Sequence, residues 1–332
     1  MKPDAQHLCA VLLLVGMVPP VSHAQGVRHY VFLGRDREKL AEPGFLDLKG
    51  VDGFQVKYSW KQLEPDKDHY VFDDVRADLA LVNSKGKKLF IQVQDSNFTL
   101  EFVPVPTYLQ QDPAYHGGVA FQTDGPEGKP EQAKPYGHVA RRWDPAVRER
   151  FHKLLFALGK EFDGKIDGIN VPETAIDVPA TGPGVPSGYT PEIYRDALLD
   201  TMAALKKAFP KSTVMVYANF MPEPTGDPVL LRSLYEKAAA LGVAMGGPDL
   251  LPHRKWQLLN SYPLIHQFSG KIPMGIAVQD GNLADVDPKT GKAVTVEELA
   301  QFASDYLHVK YIFWGTQEPY FTRDVLPFLA TR

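Results

Sequence analysis

The sequence predicts an α/β fold: a (β/α)8 TIM barrel with a long loop insertion after its third strand. Three observations predict it. Eight short, β-rich apolar runs follow one another, helical patterns separate them, and 332 residues suit one barrel or two ordinary domains. The runs are RHYVFLG, GFQVKYSW, KLFIQVQD, IDGINVPE, STVMVYAN, GVAMGG, IPMGIAVQD and VKYIFWG. A doubly wound sheet is the competing arrangement. However, FLGRDRE after the first run lacks the second and third glycines of a dinucleotide turn. No second domain and no short-period repeat is visible.

The helices between the runs carry their own start and stop signals. FDDVRADLALVNSKG ends on Gly86 after charged residues, as helix C-termini often do. Asp144 is placed to cap DPAVRERFHKLLFALGKEFDG, with Pro145 at the first helical position. Thr190 and Pro191 open TPEIYRDALLDTMAALKKAF in the same way. Thr295, with Glu298 three residues on, reads as a capping box before TVEELAQFASDYLH.

The N-terminus, MKPDAQHLCAVLLLVGMVPPVSHAQG, reads as a secretory signal over residues 1–24. Lys2 is its charged start, Leu8 to Val18 its apolar core, and Ser22-His23-Ala24 a small-x-small cleavage site. That core falls short of the roughly 20 apolar residues that a bilayer demands. An uncleaved anchor is the alternative. The expectation is a secreted or periplasmic protein, residues 25–332 forming one barrel domain, with no stable membrane insertion after cleavage. Cys9, the sole cysteine, lies in the leader, so neither a disulfide framework nor a cysteine nucleophile is available to the mature chain. A net charge of −4, with no basic stripe, argues against a nucleic-acid partner.

One connection is unusually long. The Pro- and Gly-rich segment from Ser96 to Trp143 follows the third strand, which puts it on the C-terminal rim where barrel active sites form. Its aromatics Tyr108, Tyr115, Phe121 and Tyr136 favour an ordered lid over a disordered insertion.

The strand ends bring carboxylates, amides and tryptophans to that rim. The second run ends in Lys57 and Trp60, and the third in Gln94, Asp95 and Asn97. The fourth supplies Asn170 and Glu173, the fifth Asn219, and the sixth leads to Asp249. The seventh ends in Gln279 and Asp280, the eighth in Trp314 with Glu318 beyond. Such a mixture suits a carbohydrate partner. Amides and acids hydrogen-bond hydroxyls, and an indole stacks on the apolar face of a sugar ring. Each residue also has a plainer structural role: the tryptophans as packing, Asp95 and Asp280 as caps.

Strand parity refines the list. In FQVKYSW the apolar Phe54, Val56 and Tyr58 face the helices, which turns Gln55, Lys57 and Ser59 into the barrel. A lysine there requires an acidic partner or a ligand. The pentapeptides VQDSN (93–97) and VQDGN (278–282) place Gln94 and Gln279 inward and leave Asp95 and Asp280 where strand becomes loop. Other chemistries lack their motifs. There is no HExxH, no GxSxG and no Walker sequence, and His138, His253 and His266 read as loop or surface residues. Neither a metal nor a cofactor is expected.

The stretch GFQVKYSWKQLEPDKDHYVFDDVRADLALVNSKGKKLFIQV resembles the second and third βα units of clan A glycoside hydrolases. There a tryptophan after strand 2 precedes Glu-Pro and Tyr-x-Phe. RWDPAVRERFHKLLFALGKEFDGKIDGINVPETAID likewise resembles the helix that leads to the strand 4 acid. The resemblance implies a general acid/base at Glu173, with Asn-x-x-Glu in place of the family's Asn-Glu. It implies a second carboxyl at the end of strand 7, where this chain has Gln279 and Asp280 instead of glutamate. Lys57 stands where the family tends to have an arginine. The expectation is a glycoside hydrolase with Glu173 and Asp280 catalytic. Asp249 and Glu318 are the alternative partners of Glu173. Lys57, Trp60, Gln94, Asp95, Asn97, Asn170, Asn219, Asp249, Gln279 and Trp314 would bind substrate. The missing strand 7 glutamate equally motivates a barrel that binds carbohydrate without cutting it, and carboxylate chemistry on other bonds is a third possibility.

Overall fold

The computed structural model describes residues 26–125, 132–182, 184–223 and 226–332; the leader expected over 1–24, with Cys9, lies outside them. Eight parallel strands close into a barrel. They are β1 (Arg28–Phe32), β2 (Gly53–Ser59), β3 (Lys88–Gln94), β4 (Gly168–Val171), β5 (Thr213–Tyr217), β6 (Ala244–Gly247), β7 (Met274–Val278) and β8 (Tyr311–Gly315). Each pairs with its sequence neighbours, and β1 closes the ring against β8 with Arg28 opposite Tyr311. The (β/α)8 TIM barrel read from the sequence is therefore the fold.

Alternation along each strand builds two cores. Outward side chains such as Val56, Ile91, Ile169 and Ile276 are buried against the helices. Inward ones, including Tyr30, Phe90, Met215, Tyr217 and Phe313, fill the barrel. Their bulk demands small partners elsewhere in the layer. A Cβ on Gly168 would sit 2.3 Å from the Phe90 ring and 2.8 Å from the Thr213 carbonyl, so only glycine fits there.

The caps form largely as expected. Asp144 accepts from the Ala146 and Val147 N–H groups at 2.9 and 3.3 Å and opens the helix Pro145–Phe162. Thr190 accepts from Ile193 N at 3.1 Å and opens Pro191–Ala208. Thr295 makes only half a capping box. It accepts from Glu298 N at 3.1 Å, but the Glu298 carboxylate bonds His253 Nε2 at 2.7 Å instead of reaching back. Among the described residues no helix is long and apolar enough to cross a membrane.

The segment after β3 contains a small sheet. Strands Ser96–Asn97, Lys134–Ala140 and Val119–Asp124 pair antiparallel in that spatial order, with a short helix at Thr107–Gln111 between the first and the last. The two ends of the segment are joined. Arg142 forms a bidentate pair with Asp95 at 2.8 and 2.6 Å, both residues being buried.

Candidate active site

A cleft of about 1170 Å³ opens over the C-terminal ends of the strands. Lys57, Gln94, Glu173, Asp249, Gln279 and Asp280 line it, so six of the side chains expected at the rim converge there. Glu318 also reaches it, but its carboxylate accepts from the Thr322 hydroxyl and N–H at 2.6 and 3.2 Å.

Glu173 follows β4 and is held from several sides. Asn219, at the end of β5, donates from Nδ2 to Glu173 Oε2 at 2.7 Å. The Asn219 oxygen accepts from the Ala175 and Phe220 N–H groups at 3.2 and 3.0 Å, which fixes the amide orientation. Arg142 donates to the Glu173 backbone carbonyl at 3.1 Å, tying the acid's main chain to the Asp95 pair. Burial pushes the Glu173 carboxyl up to about 7. The Asn219 hydrogen bond works against that shift, and the nearby negative charge of Asp249 adds to it.

Lys57 points inward from β2, as parity requires, and lies 5.2 Å from the Phe32 ring centroid. No carboxylate of the described residues comes within 4 Å of its ammonium. Burial, reinforced by Arg35 and opposed by Glu173 and Asp280, lowers it to about 8. One cation is thus sensitive to both of the carboxylates expected to be catalytic.

Asn282, the last residue of VQDGN, is buried and organises the opposite wall. It donates to Asp249 Oδ1 at 3.0 Å and accepts from the Leu250 and Gln279 N–H groups at 2.9 and 3.1 Å. Burial raises the Asp249 carboxyl above its ordinary range, against this hydrogen bond. Asp280 is exposed at the cleft edge. Asn97, the last residue of VQDSN, plays the corresponding part on the other side. It borders the cleft, but its amide is engaged with Phe102 O at 2.7 Å and His138 N at 2.9 Å. The two pentapeptides therefore end alike because a buried asparagine pins the loop after each strand.

Several residues expected to touch substrate lie elsewhere. Trp60 is fully buried, donates to Glu64 Oε2 at 2.8 Å and packs on Phe151. Trp314 is fully buried outside the barrel, donates to His29 Nδ1 at 3.1 Å and packs on Phe328. Neither indole reaches the cleft, because both side chains point outward into the layer between strands and helices. Asp95 serves Arg142, and Asn170 accepts from Gln55 Nε2 at 2.9 Å inside the barrel. Asn219 acts on Glu173 and does not line the cleft.

The aromatics that do line the cleft are Phe32, Phe98, Phe102 and Tyr217. Sequence reasoning passed over Phe98 and Phe102. The signal was the strand-like alternation of Phe98, Leu100 and Phe102 in NFTLEFVP, a stretch that forms no strand beyond Asn97 and so leaves these side chains without a core face. Among the described residues no group of three or more His, Cys, Asp or Glu side chains is placed to hold a metal ion. A cleft with a carboxyl poised near neutrality, other carboxylates, a cation and exposed rings can move a proton onto a bound hydroxyl or ether oxygen. It can also hold a polar ligand that has apolar faces.

No protein-family model matches the chain, and no curated protein matches its sequence. Solved structures do match its fold. A psychrophilic glycoside hydrolase family 10 endo-β-1,4-xylanase superposes with a TM-score of 0.51 at 11% identity, over 87% of this chain and 86% of that one. A β-galactosidase from Bacillus circulans sp. alkalophilus gives 0.54 at 11% identity, over 88% of this chain and 50% of that one. A family 39 glycoside hydrolase from Bacteroides cellulosilyticus WH2 gives 0.50 at 12% identity, over 89% and 57%. The chain spans about half the length of these last two. At such identities the likeness establishes the architecture alone: a (β/α)8 barrel, as in these solved structures.

Proposed function

We propose that the chain is an exported glycoside hydrolase that cleaves glycosidic bonds of a poly- or oligosaccharide by paired-carboxylate acid/base catalysis. The observation that carries this reading is Glu173. Its carboxyl is half-buried at the rim, oriented by Asn219 and pushed up to about 7. A carboxylic acid that keeps its proton near neutral pH can give it to a leaving glycosidic oxygen. The fold shared with a xylanase and a galactosidase supports the same substrate class.

In this mechanism Glu173 protonates the glycosidic oxygen as the bond to the anomeric carbon breaks. Asp280 supplies the second carboxylate, either activating water or attacking the anomeric carbon, with the Lys57 ammonium in the same cleft. The separation of the two carboxyls decides the stereochemical outcome, short for retention and longer for inversion. Aspartate is one methylene shorter than the glutamate expected at this strand end, which favours inversion. The decisive experiment is a reducing-end assay on a polysaccharide panel with wild type and Glu173→Gln. Full activity of the variant on a substrate that wild type cleaves would sink the proposal. Export is tested by N-terminal sequencing of the protein recovered outside the producing cytoplasm, with Gln25 expected first.

Gln279 motivates a second reading, a barrel that binds carbohydrate without cutting it, because it takes the cleft-lining place just beyond β7 where an acid is expected. Calorimetric binding of an oligosaccharide with no product after long incubation would select that reading.

A further inference from the structure

The insertion after β3 exposes an unusual amount of apolar side chain. Phe98, Leu100, Phe102 and Phe121 are 51%, 53%, 46% and 54% exposed. Single exposed apolar residues require no explanation, but several on one element beside a polar cleft do. Phe98 and Phe102 line the cleft, whereas Phe121 does not. Phe98 lies flat on Tyr136, with ring centroids 6.0 Å apart and planes inclined by 14°, so Tyr136 braces one of its faces.

The braced ring is linked to the loop that carries Glu173. The Tyr136 hydroxyl donates to the Asp177 carboxylate, four residues beyond Glu173. Asp177 N donates to Gln122 Oε1 at 3.1 Å, and Thr123 N donates to the Asp177 carbonyl at 2.8 Å. Gln122 is fully buried and donates onward to the Asn97 carbonyl at 2.7 Å. Phe98 thus stacks on a sheet that is hydrogen-bonded to the acid's loop.

The charge of the cleft limits what can lie on this surface. Asp36, Glu101, Glu173, Asp249, Asp280 and Glu318 face the cations Arg35, Lys39 and Lys57, an excess of carboxylates that repels a polyanion. The cleft volume of about 1170 Å³ also lies above the roughly 300–1,000 Å³ usual for small-molecule pockets.

We infer that Phe98 and Phe102 form a stacking wall for the pyranose rings of a neutral oligosaccharide chain, which lays a glycosidic bond beside Glu173. The C–H face of a sugar ring packs on an aromatic face, and the Tyr136–Asp177 link keeps that ring in register with the acid. This inference rests on the hydrolase reading above and narrows its substrate to uncharged chains.

The test measures binding of cellohexaose, xylohexaose, mannohexaose and hexagalacturonate by calorimetry in the Glu173→Gln background, which prevents turnover. At least one neutral hexamer is expected to bind about tenfold or more tightly than hexagalacturonate. Adding Phe98→Ala with Phe102→Ala is expected to weaken that binding by about tenfold or more. Phe98→Tyr with Phe102→Tyr should retain it, and Phe121→Ala, in the same insertion but outside the cleft, should leave it alone. Because Phe98 and Phe102 are half exposed, the variants should fold; the single substitutions, checked by circular dichroism, serve if the double one does not. Unchanged affinity in the alanine variants, tighter binding of hexagalacturonate, or no binding of any hexamer overturns the wall. Hexamers that bind through the wall but are never cleaved by wild type overturn the hydrolase reading and leave the wall standing.

Discussion

Asn219 Nδ2 donates to Glu173 Oε2 at 2.7 Å, and two backbone N–H groups hold the asparagine oxygen so that the amide cannot turn over. A hydrogen bond to the ionised carboxylate favours ionisation, so Asn219 restrains a carboxyl that burial raises to about 7. Asn219→Ala should therefore move the alkaline limb of the kcat/KM profile upward by about one pH unit, since a net hydrogen bond is worth roughly 1 kcal/mol. The same substitution should lower kcat, because Glu173 loses its orientation. An unmoved limb would show that Asn219 has only a structural part.

Asp249→Asn should act in the opposite direction. The Asp249 charge raises the Glu173 carboxyl, and its removal lets Glu173 ionise at lower pH. The alkaline limb should shift toward acid while the Asn282 contact can persist through the new amide. Asp280→Asn, in contrast, should lower kcat by about 10²-fold or more if it is the second carboxylate. Steady-state kinetics of the two variants decide which acid partners Glu173.

Glu173→Gln should change stability as well as activity. The folded carboxyl titrates near 7, against 4.5 for the exposed group, so the folded state binds this proton more tightly. Its contribution is fully present below about 4.5 and is lost as pH rises through about 7. Glutamine carries no such penalty. At pH 8 the variant should be more stable than wild type by on the order of 1–3 kcal/mol, and at pH 4 nearly equal. Urea denaturation at the two pH values measures this.

Arg142→Met should be among the more damaging substitutions. It leaves Asp95 buried without its partner and frees the Glu173 carbonyl. Removing one side of a buried ion pair costs about 3–5 kcal/mol. The loss should appear in the denaturation midpoint of the whole barrel.

Trp314→Phe separates packing from recognition. It removes the bond to His29 and part of a fully buried volume, a loss of about 1–3 kcal/mol. Because Trp314 does not line the cleft, oligosaccharide affinity should be unaltered in the folded variant. A weakened affinity would return the indole to the substrate site.

Much of this molecule was legible in its sequence, and the exceptions share a cause. The eight runs, the Asp144 and Thr190 caps and the inward turn of Lys57 follow from local periodicity, which the barrel preserves. Glu173 was legible because it stands just beyond a strand end on a rim where chemistry collects. The tryptophans misled because indoles suit sugars and cores equally well, and only the third dimension shows the partners Glu64 and His29. The sheet in the insertion was hidden for a related reason. Its strands pair across long separations, as Ser96 does with Val139, and Ser96–Asn97 is too short to show a period. Phe98 and Phe102 gain meaning only when that sheet sets them beside the cleft.

The buried Asp95–Arg142 pair has a consequence for how such a barrel diversifies. The 46 residues between these two positions leave and re-enter the scaffold at a single clasp. Inside that clasp the segment is also bonded to the loop of Glu173 through Tyr136, Gln122 and Thr123, while the entropy of closing it grows slowly with length. The segment is thus a cassette that is exchangeable where its replacement renews those bonds. Another of different length or aromatic content, grafted onto the same clasp and supplying new partners for Asp177, would change which chain is recognised while β3 and β4 remain as they are.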